Sequence, residues 1–305
     1  MELLEPHSLF WAADSLEFTF TGEALCLIFE ADFGRVEPWI SAEVNGAPIL
    51  RMPLNRGVQE VRLFSGMTAG VPKRVRVFKE TQPITDDPRH RLLVRGARGT
   101  NGAFLPAPER RLCLEFVGDS PTSGEGLAGA REEADWSAAL FSASRTWARL
   151  TADNLDAGFH AVSQSGWGVC GGWEGDPAHA LPRWYEGTRP LRTWEPDAVV
   201  VNLGTNDASA IQAGLSSPAA FENGAVSFLR QLRREHPAAK LVWAYGMVDD
   251  YLRPQLERAV DRFADAWYLP LPAVTEETMG SRRHPGPACH RQAAEAAVNL
   301  LKTIL

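Results

Sequence analysis

The sequence predicts an α/β domain with a parallel sheet over residues 106–305, preceded by an all-β domain over residues 1–105. Short runs of alternating polarity, broken by Gly and Asn turns, fill the first part; apolar runs alternating with helical stretches fill the second. Between them lies Leu105-Pro-Ala-Pro-Glu-Arg-Arg111, where two prolines stop strand pairing and stiffen the join.

In the first part, Leu16-Glu-Phe-Thr-Phe20 alternates apolar and polar side chains, as a half-buried strand does. Asn45-Gly46 separates two further runs, 42–44 and 49–52, and marks a hairpin because both turn positions need positive φ. Residues 75–77 and 92–94 add short strands and Asn101-Gly102 another turn, a spacing that favours a β-sandwich. From Arg111 the strand-like runs are 113–117, 159–163, 198–203, 241–245 and 267–271. Helices are expected over about 136–155, 218–236 and 254–264, and from about Pro287 onward. Crossovers of this length require parallel strands with helices on the sheet faces.

The net charge of −7 argues against a nucleic-acid partner, which selects a basic face. The opening Met1-Glu-Leu-Leu-Glu-Pro-His7 has neither the positive nor the apolar region of a secretory signal. No run is long enough to span a membrane, so a cytoplasmic protein without a membrane partner is expected. Cys26, Cys113, Cys170 and Cys289 lack metal-ligand spacing and read as ordinary buried thiols; neither a metal nor another cofactor is expected.

Four polar or Gly-rich tips carry the chemistry. Val117-Gly-Asp-Ser-Pro-Thr122 places Ser120 at the C-terminal end of a strand, where open α/β sheets present catalytic groups. It is not a Gly-x-Ser-x-Gly elbow, because Thr122 occupies the second glycine position. Ser163-Gln-Ser-Gly-Trp-Gly168 follows the next strand, Gly204-Thr-Asn-Asp207 the third, and His284-Pro-Gly-Pro287 opens the last helix. Ser, Gly, Asn and His in this order on such tips resemble the SGNH (GDSL-type) hydrolases. The stretch Glu195-Pro-Asp-Ala-Val-Val-Val-Asn-Leu-Gly-Thr-Asn-Asp207, the Ala244-Tyr-Gly-Met247 segment and the closing Gly280-x-x-x-His284-Pro285 narrow the resemblance to carbohydrate esterase family 2. That resemblance implies an SGNH-hydrolase-like three-layer α/β/α domain and an N-terminal jelly roll. It also implies removal of acetyl groups from plant polysaccharides and oligosaccharides without a metal.

On these terms Ser120 is the nucleophile and His284 the base that takes its proton. Attack makes a tetrahedral oxyanion, for which the backbone N–H of Ser120, the backbone N–H of Gly166 and the side-chain amide of Asn206 are the candidate donors. Plainer uses compete: His284 packing on Pro285 at a helix start, and Asn206 capping the helix that follows. Asp119 and Asp207 read as loop-fixing groups, His236 and His290 as surface or capping residues. Pro121 replaces the family's usual aliphatic residue but removes only its own N–H. The usual triad carboxylate lies two or three residues before the histidine, and those positions are Arg282 and Ser281. Either a backbone carbonyl orients His284, giving a Ser–His dyad, or a distant acid such as Glu276, Glu277 or Asp250 substitutes. The dyad is the preferred arrangement, with an inactive relic as the competing one.

Six of the ten tryptophans fall between Trp136 and Trp194. Trp136 and Trp147 are expected in the core, whereas Trp167, Trp173, Trp184 and Tyr185 are candidates for substrate contact. The resulting expectation is a serine esterase that removes O-acetyl groups from imported manno-, xylo- or gluco-oligosaccharides through an acetyl-enzyme. A lipid or thioester hydrolase with the same site and a catalytically silent glycan-binding protein are the alternatives.

Overall fold

The computed structural model describes residues 6–185 and 194–305. The chain divides into two compact units, Met1–Glu109 with Ser137–Ala139, and Arg110–Trp136 with Leu140–Leu305.

The first unit contains β1 (His7–Ser8), β2 (Ser15–Phe20), β3 (Ala24–Asp32), β4 (Trp39–Val44), β5 (Ala47–Pro53), β6 (Gly57–Phe64), β7 (Lys73–Lys79), β8 (Arg91–Thr100) and β9 (Phe104–Pro106). They form two antiparallel sheets, ordered β1-β8-β3-β6 and β5-β4-β7-β2-β9. Strand β3 shows why: Leu25, Leu27, Phe29 and Ala31 all point to one face. From the second sheet Phe18, Phe20, Ile40, Ala42, Val75 and Val77 join them in a single core. The Asn45-Gly46 hairpin joins β4 to β5, with φ of +52° and +81° at its two turn residues.

The second unit runs β10 (Cys113–Gly118), α1 (Ser120–Ser123), α2 (Trp147–Asn154), β11 (Gly158–Ser163), α3 (Leu181–Tyr185), β12 (Ala198–Asn202) and α4 (Thr205–Gln212). It continues with α5 (Pro218–Glu235), β13 (Lys240–Tyr245), α6 (Arg253–Phe263), β14 (Trp267–Pro270) and α7 (Pro287–Ile304). Its five strands are parallel, in the order β11-β10-β12-β13-β14. Strand order reverses at β10, so a crevice opens beyond the C-terminal end of that strand. On one face Leu114, Phe116, Val200, Val242 and Ala244 pack with Trp147 of α2 and Ala293, Ala297 and Leu301 of α7. On the other, Trp243 meets Phe228 of α5 edge-on, and Phe228 meets Tyr185 of α3. Helices cover both faces, which makes this unit a three-layer α/β fold.

Two elements differ from expectation. The helix predicted over 136–155 shrinks to Trp147–Asn154, with 3-10 turns at Ala138–Leu140 and Ala143–Arg145 before it. Hydroxyls compete for the backbone there: Ser137 Oγ accepts from the Ala139 N–H, and Thr146 Oγ1 caps the helix through the Arg149 N–H. Trp136 consequently lies outside the helix, half-buried against Phe141, while Trp147 is fully buried as expected. The second difference is α4, which begins one residue before Asn206.

Candidate active site

Strand β10 ends at Gly118, where a Cβ would stand 2.1 Å from Thr122 Oγ1. Asp119, at φ −101° and ψ −144°, turns the chain into α1, and Ser120 opens that helix at 6 % exposure. Pro121 falls in its first turn, where a missing N–H costs nothing. The Ser120 N–H meets no acceptor among the described residues, nor does that of Gly166, held at φ +81° in the turn after β11. Two backbone donors are therefore available at the sheet's C-terminal edge.

Asn206 Nδ2 donates to Trp167 O at 2.8 Å and to Asp119 Oδ2 at 3.1 Å. As the second residue of α4, behind Gly204, it does not cap that helix. Instead its amide joins the Gly-Asp-Ser turn to the Gly166-Trp167 loop. Both of its N–H groups are engaged, so the expected third donor is occupied here by protein partners.

His284 Nδ1 lies 2.9 Å from the backbone carbonyl of Arg282. A carbonyl only accepts, so Nδ1 carries the proton and Nε2 is left with its lone pair. Arg282 and Arg283 both adopt positive φ, +53° and +60°, a conformation uncommon for non-glycine residues, and the turn they make brings the carbonyl back to the ring. Nε2 lies 3.8 Å from Glu125 Oε2. Glu125 is itself fixed, its N–H donating to Ser120 O at 3.1 Å and its carboxylate accepting from Arg282 Nε at 2.8 Å. The Ser281 N–H donates to Gly126 O at 3.0 Å and the Arg282 N–H to Glu133 O at 2.9 Å. His284 is thus seated on the loop that leaves α1, and Glu125 bridges it to Ser120.

The distant acids are elsewhere. Glu276 lies 3.5 Å from Arg131, and Glu277 accepts from Thr275 Oγ1 at 2.8 Å. The groups beside the imidazole are Arg282 O and Glu125. Sequence reasoning missed Glu125. Its signal was the pair of glycines around it, both at positive φ, because such residues mark a loop that another backbone approaches closely.

Asp119 and Asp207 anchor loops, as anticipated. Burial first, then the neighbouring Asp249, Asp207 and Glu125, raises Asp119 well above the ordinary carboxyl range. Asp207 accepts from the N–H groups of Val169 at 2.8 Å and Cys170 at 2.9 Å, and burial raises it to about 6 despite those bonds.

The aromatic candidates separate. Trp173 is 61 % exposed, and a Cβ on Gly166 would stand 3.2 Å from its ring. Trp184 is 39 % exposed. Trp167, expected to touch substrate, is instead buried, with His179 stacked at 5.2 Å and Trp184 edge-on at 5.1 Å. Tyr185 does not line the cleft either: it is buried, its hydroxyl bonded to Glu115 and His236. His236 and His290 are buried rather than superficial. His236 ends α5 but reaches Tyr185 and Glu195, while His290 Nδ1 accepts the Trp147 N–H at 2.9 Å.

The sequence pattern of the GDSL-like lipase/acylhydrolase family matches residues 116–291, and the chain belongs to that family. Among solved structures it resembles the acetyl xylan esterase Est2A from the rumen bacterium Butyrivibrio proteoclasticus, with 32 % identity and a TM-score of 0.91 over 99 % of this chain and 95 % of that one. A family two carbohydrate esterase from Clostridium thermocellum, solved with cellohexaose, shares the fold at 23 % identity and a TM-score of 0.87, covering 97 % and 94 % of the two chains. The cellulase/esterase CelE of Acetivibrio thermocellus is 26 % identical over 97 % of this chain, which spans 37 % of the length of CelE.

Proposed function

We propose that the chain is a serine esterase that removes O-acetyl groups from acetylated manno-, xylo- or gluco-oligosaccharides. The observation that carries this reading is the seating of His284: Nδ1 held by Arg282 O, Nε2 free, and the ring docked on the loop leaving the Ser120 helix. Nε2 takes the proton of Ser120 Oγ as the oxygen attacks the acetyl carbonyl. The Ser120 and Gly166 N–H groups receive the oxyanion. Asn206 becomes a third donor when it gives up its longer bond, the 3.1 Å contact to Asp119. Collapse breaks the ester C–O bond, the imidazolium protonates the departing sugar hydroxyl, and Ser120 is left acetylated. Water activated by Nε2 then attacks the acetyl-enzyme and releases acetate. The Arg282 carbonyl fixes the tautomer throughout, and the nearby Glu125 carboxylate opposes the charge on the transient imidazolium.

The acyl-ester chemistry is supported by family membership, and the sugar class by likeness to an acetyl xylan esterase and by the exposed face of Trp173 beside Gly166. The same reading takes residues 1–105 as a jelly roll, supported by two antiparallel sheets around one core, and 106–305 as the hydrolase domain. The test is acetate release from acetylated oligosaccharides, compared with hydrolysis of long-chain acyl esters, by the wild type and Ser120→Ala. Acetate released by the wild type and abolished in the variant is expected. Faster cleavage of long acyl chains would make this a lipid or thioester hydrolase, and no turnover of either a binding protein.

A further inference from the structure

A cavity of about 430 Å³ lies along α5, with Arg183 of α3 on one wall and Arg230, Gln231 and Arg234 of α5 on the other. The three guanidiniums form no ion pair or hydrogen bond among the described residues, although all are exposed. Their neighbours do: Arg233 pairs with Asp265, Arg258 and Arg262 share Glu222, and Arg253 pairs with Glu257. Arg230 and Arg234 stand one helical turn apart, where like charges repel. In a chain of net charge −7, three cations that line one cavity with no partner among the described residues mark a place for an anion.

The shape narrows the ligand. The cavity follows α5 from Gly224 to Arg234, ten residues or about 15 Å of helix, which suits an extended chain better than a lone ion. Val169, Ala180 and Pro182 give it an apolar side on which a sugar ring can pack. Side-chain contacts also link its lining to the site. Arg183 adjoins Trp184, Trp184 meets Trp167 edge-on at 5.1 Å, and Trp167 O accepts from Asn206.

We propose that this groove is a subsite for a carboxylate-bearing sugar unit of the acetylated oligosaccharide, a uronic acid held by the forks of Arg183, Arg230 and Arg234. The proposal rests on the reading of the chain as an esterase of acetylated sugars. Guanidinium forks match a carboxylate in two parallel bonds, which distinguishes such a unit from neutral sugars.

The test measures kcat/KM on a neutral acetylated xylo-oligosaccharide and on one that also carries a uronic acid, at low and high salt. The wild type is expected to prefer the acidic substrate at least tenfold, through KM, and to lose that preference as salt screens the groove. Arg230→Gln/Arg234→Gln is expected to remove the preference while leaving the neutral substrate within twofold. Calorimetry of Ser120→Ala with the deacetylated acidic oligosaccharide checks binding without chemistry, and inorganic phosphate serves as the small-anion probe. Equal kcat/KM on both substrates, or phosphate binding without oligosaccharide binding, would overturn the proposal. Arginine-dependent binding of the acidic oligosaccharide without any ester hydrolysis would uphold the subsite and sink the esterase reading.

Discussion

Replacing Gly126 by alanine disturbs His284 without altering any group assigned to the chemistry. A Cβ at Gly126 would stand 2.5 Å from Ser281 O and 2.8 Å from His284 Cβ, against ordinary contacts of 3.4 Å or more. The loop that carries the imidazole must therefore retreat by about 1 Å, a misplacement that costs roughly 10² in rate. Because Gly126 sits at φ +74°, alanine also adds left-handed strain of about 1–2 kcal/mol. Gly214 supplies the control. Its φ is +75°, and nothing lies within 4 Å of its notional Cβ, so Gly214→Ala carries the same strain without moving the base. With 4-nitrophenyl acetate, kcat should fall about 100-fold in Gly126→Ala and stay near wild type in Gly214→Ala, both melting a few degrees lower. A folded Gly126→Ala enzyme within threefold of wild-type kcat, or an equal loss in Gly214→Ala, would refute the seating of His284 as the controlling geometry.

If Asn206 serves as the proposed third oxyanion donor, Asn206→Ala should lower kcat by about 10²–10³ with little change in KM; a lower melting temperature with kcat preserved would reduce Asn206 to a loop anchor. Glu276→Ala, Glu277→Ala and Asp250→Ala should each cost less than about tenfold, against the roughly 10⁴ of a true triad acid; a thousandfold loss in any one, with circular dichroism unchanged, would relocate the triad. Asp207 is raised to about 6, so the folded chain holds a proton that the unfolded chain has released above pH ~4. Its contribution to stability therefore falls as pH rises from about 4 through 6, and Asp207→Asn should flatten that part of the urea-midpoint profile. An unchanged slope would contradict the shift.

Much of the second unit was legible because its signals are local. Continuous apolar runs gave the five parallel strands within a residue or two of their ends, and Pro218, Pro254 and Pro287 marked where three helices begin. The tips that hold Ser120, Gly166, Asn206 and His284 could be read for the same reason: each follows a strand or opens a helix. The rest depended on tertiary contacts. The hydroxyls around Thr146 shortened a helix that periodicity alone extends. Trp167 and Tyr185 carry nothing in the sequence to say that His179, Trp184 and Glu115 surround them. Glu125 was hidden because its partner arrives from the far end of the chain.

That distance has a consequence for how activity is acquired. The hydrogen bond from Ser281 Oγ to Gly126 O closes a span of 155 residues, far longer than any strand pairing in the sheet it overlies. Contacts of such separation repay their loop-closure entropy late in folding. A refolding chain should regain its far-ultraviolet signal before it hydrolyses an ester, and burst hydrolysis in step with that signal would contradict this order. By the same token a single protease cut within the open connection ahead of Gly280 should silence the enzyme well below its melting temperature. Turnover then reports the meeting of two remote chain segments, and serves as a sensor of local opening that bulk spectroscopy does not see.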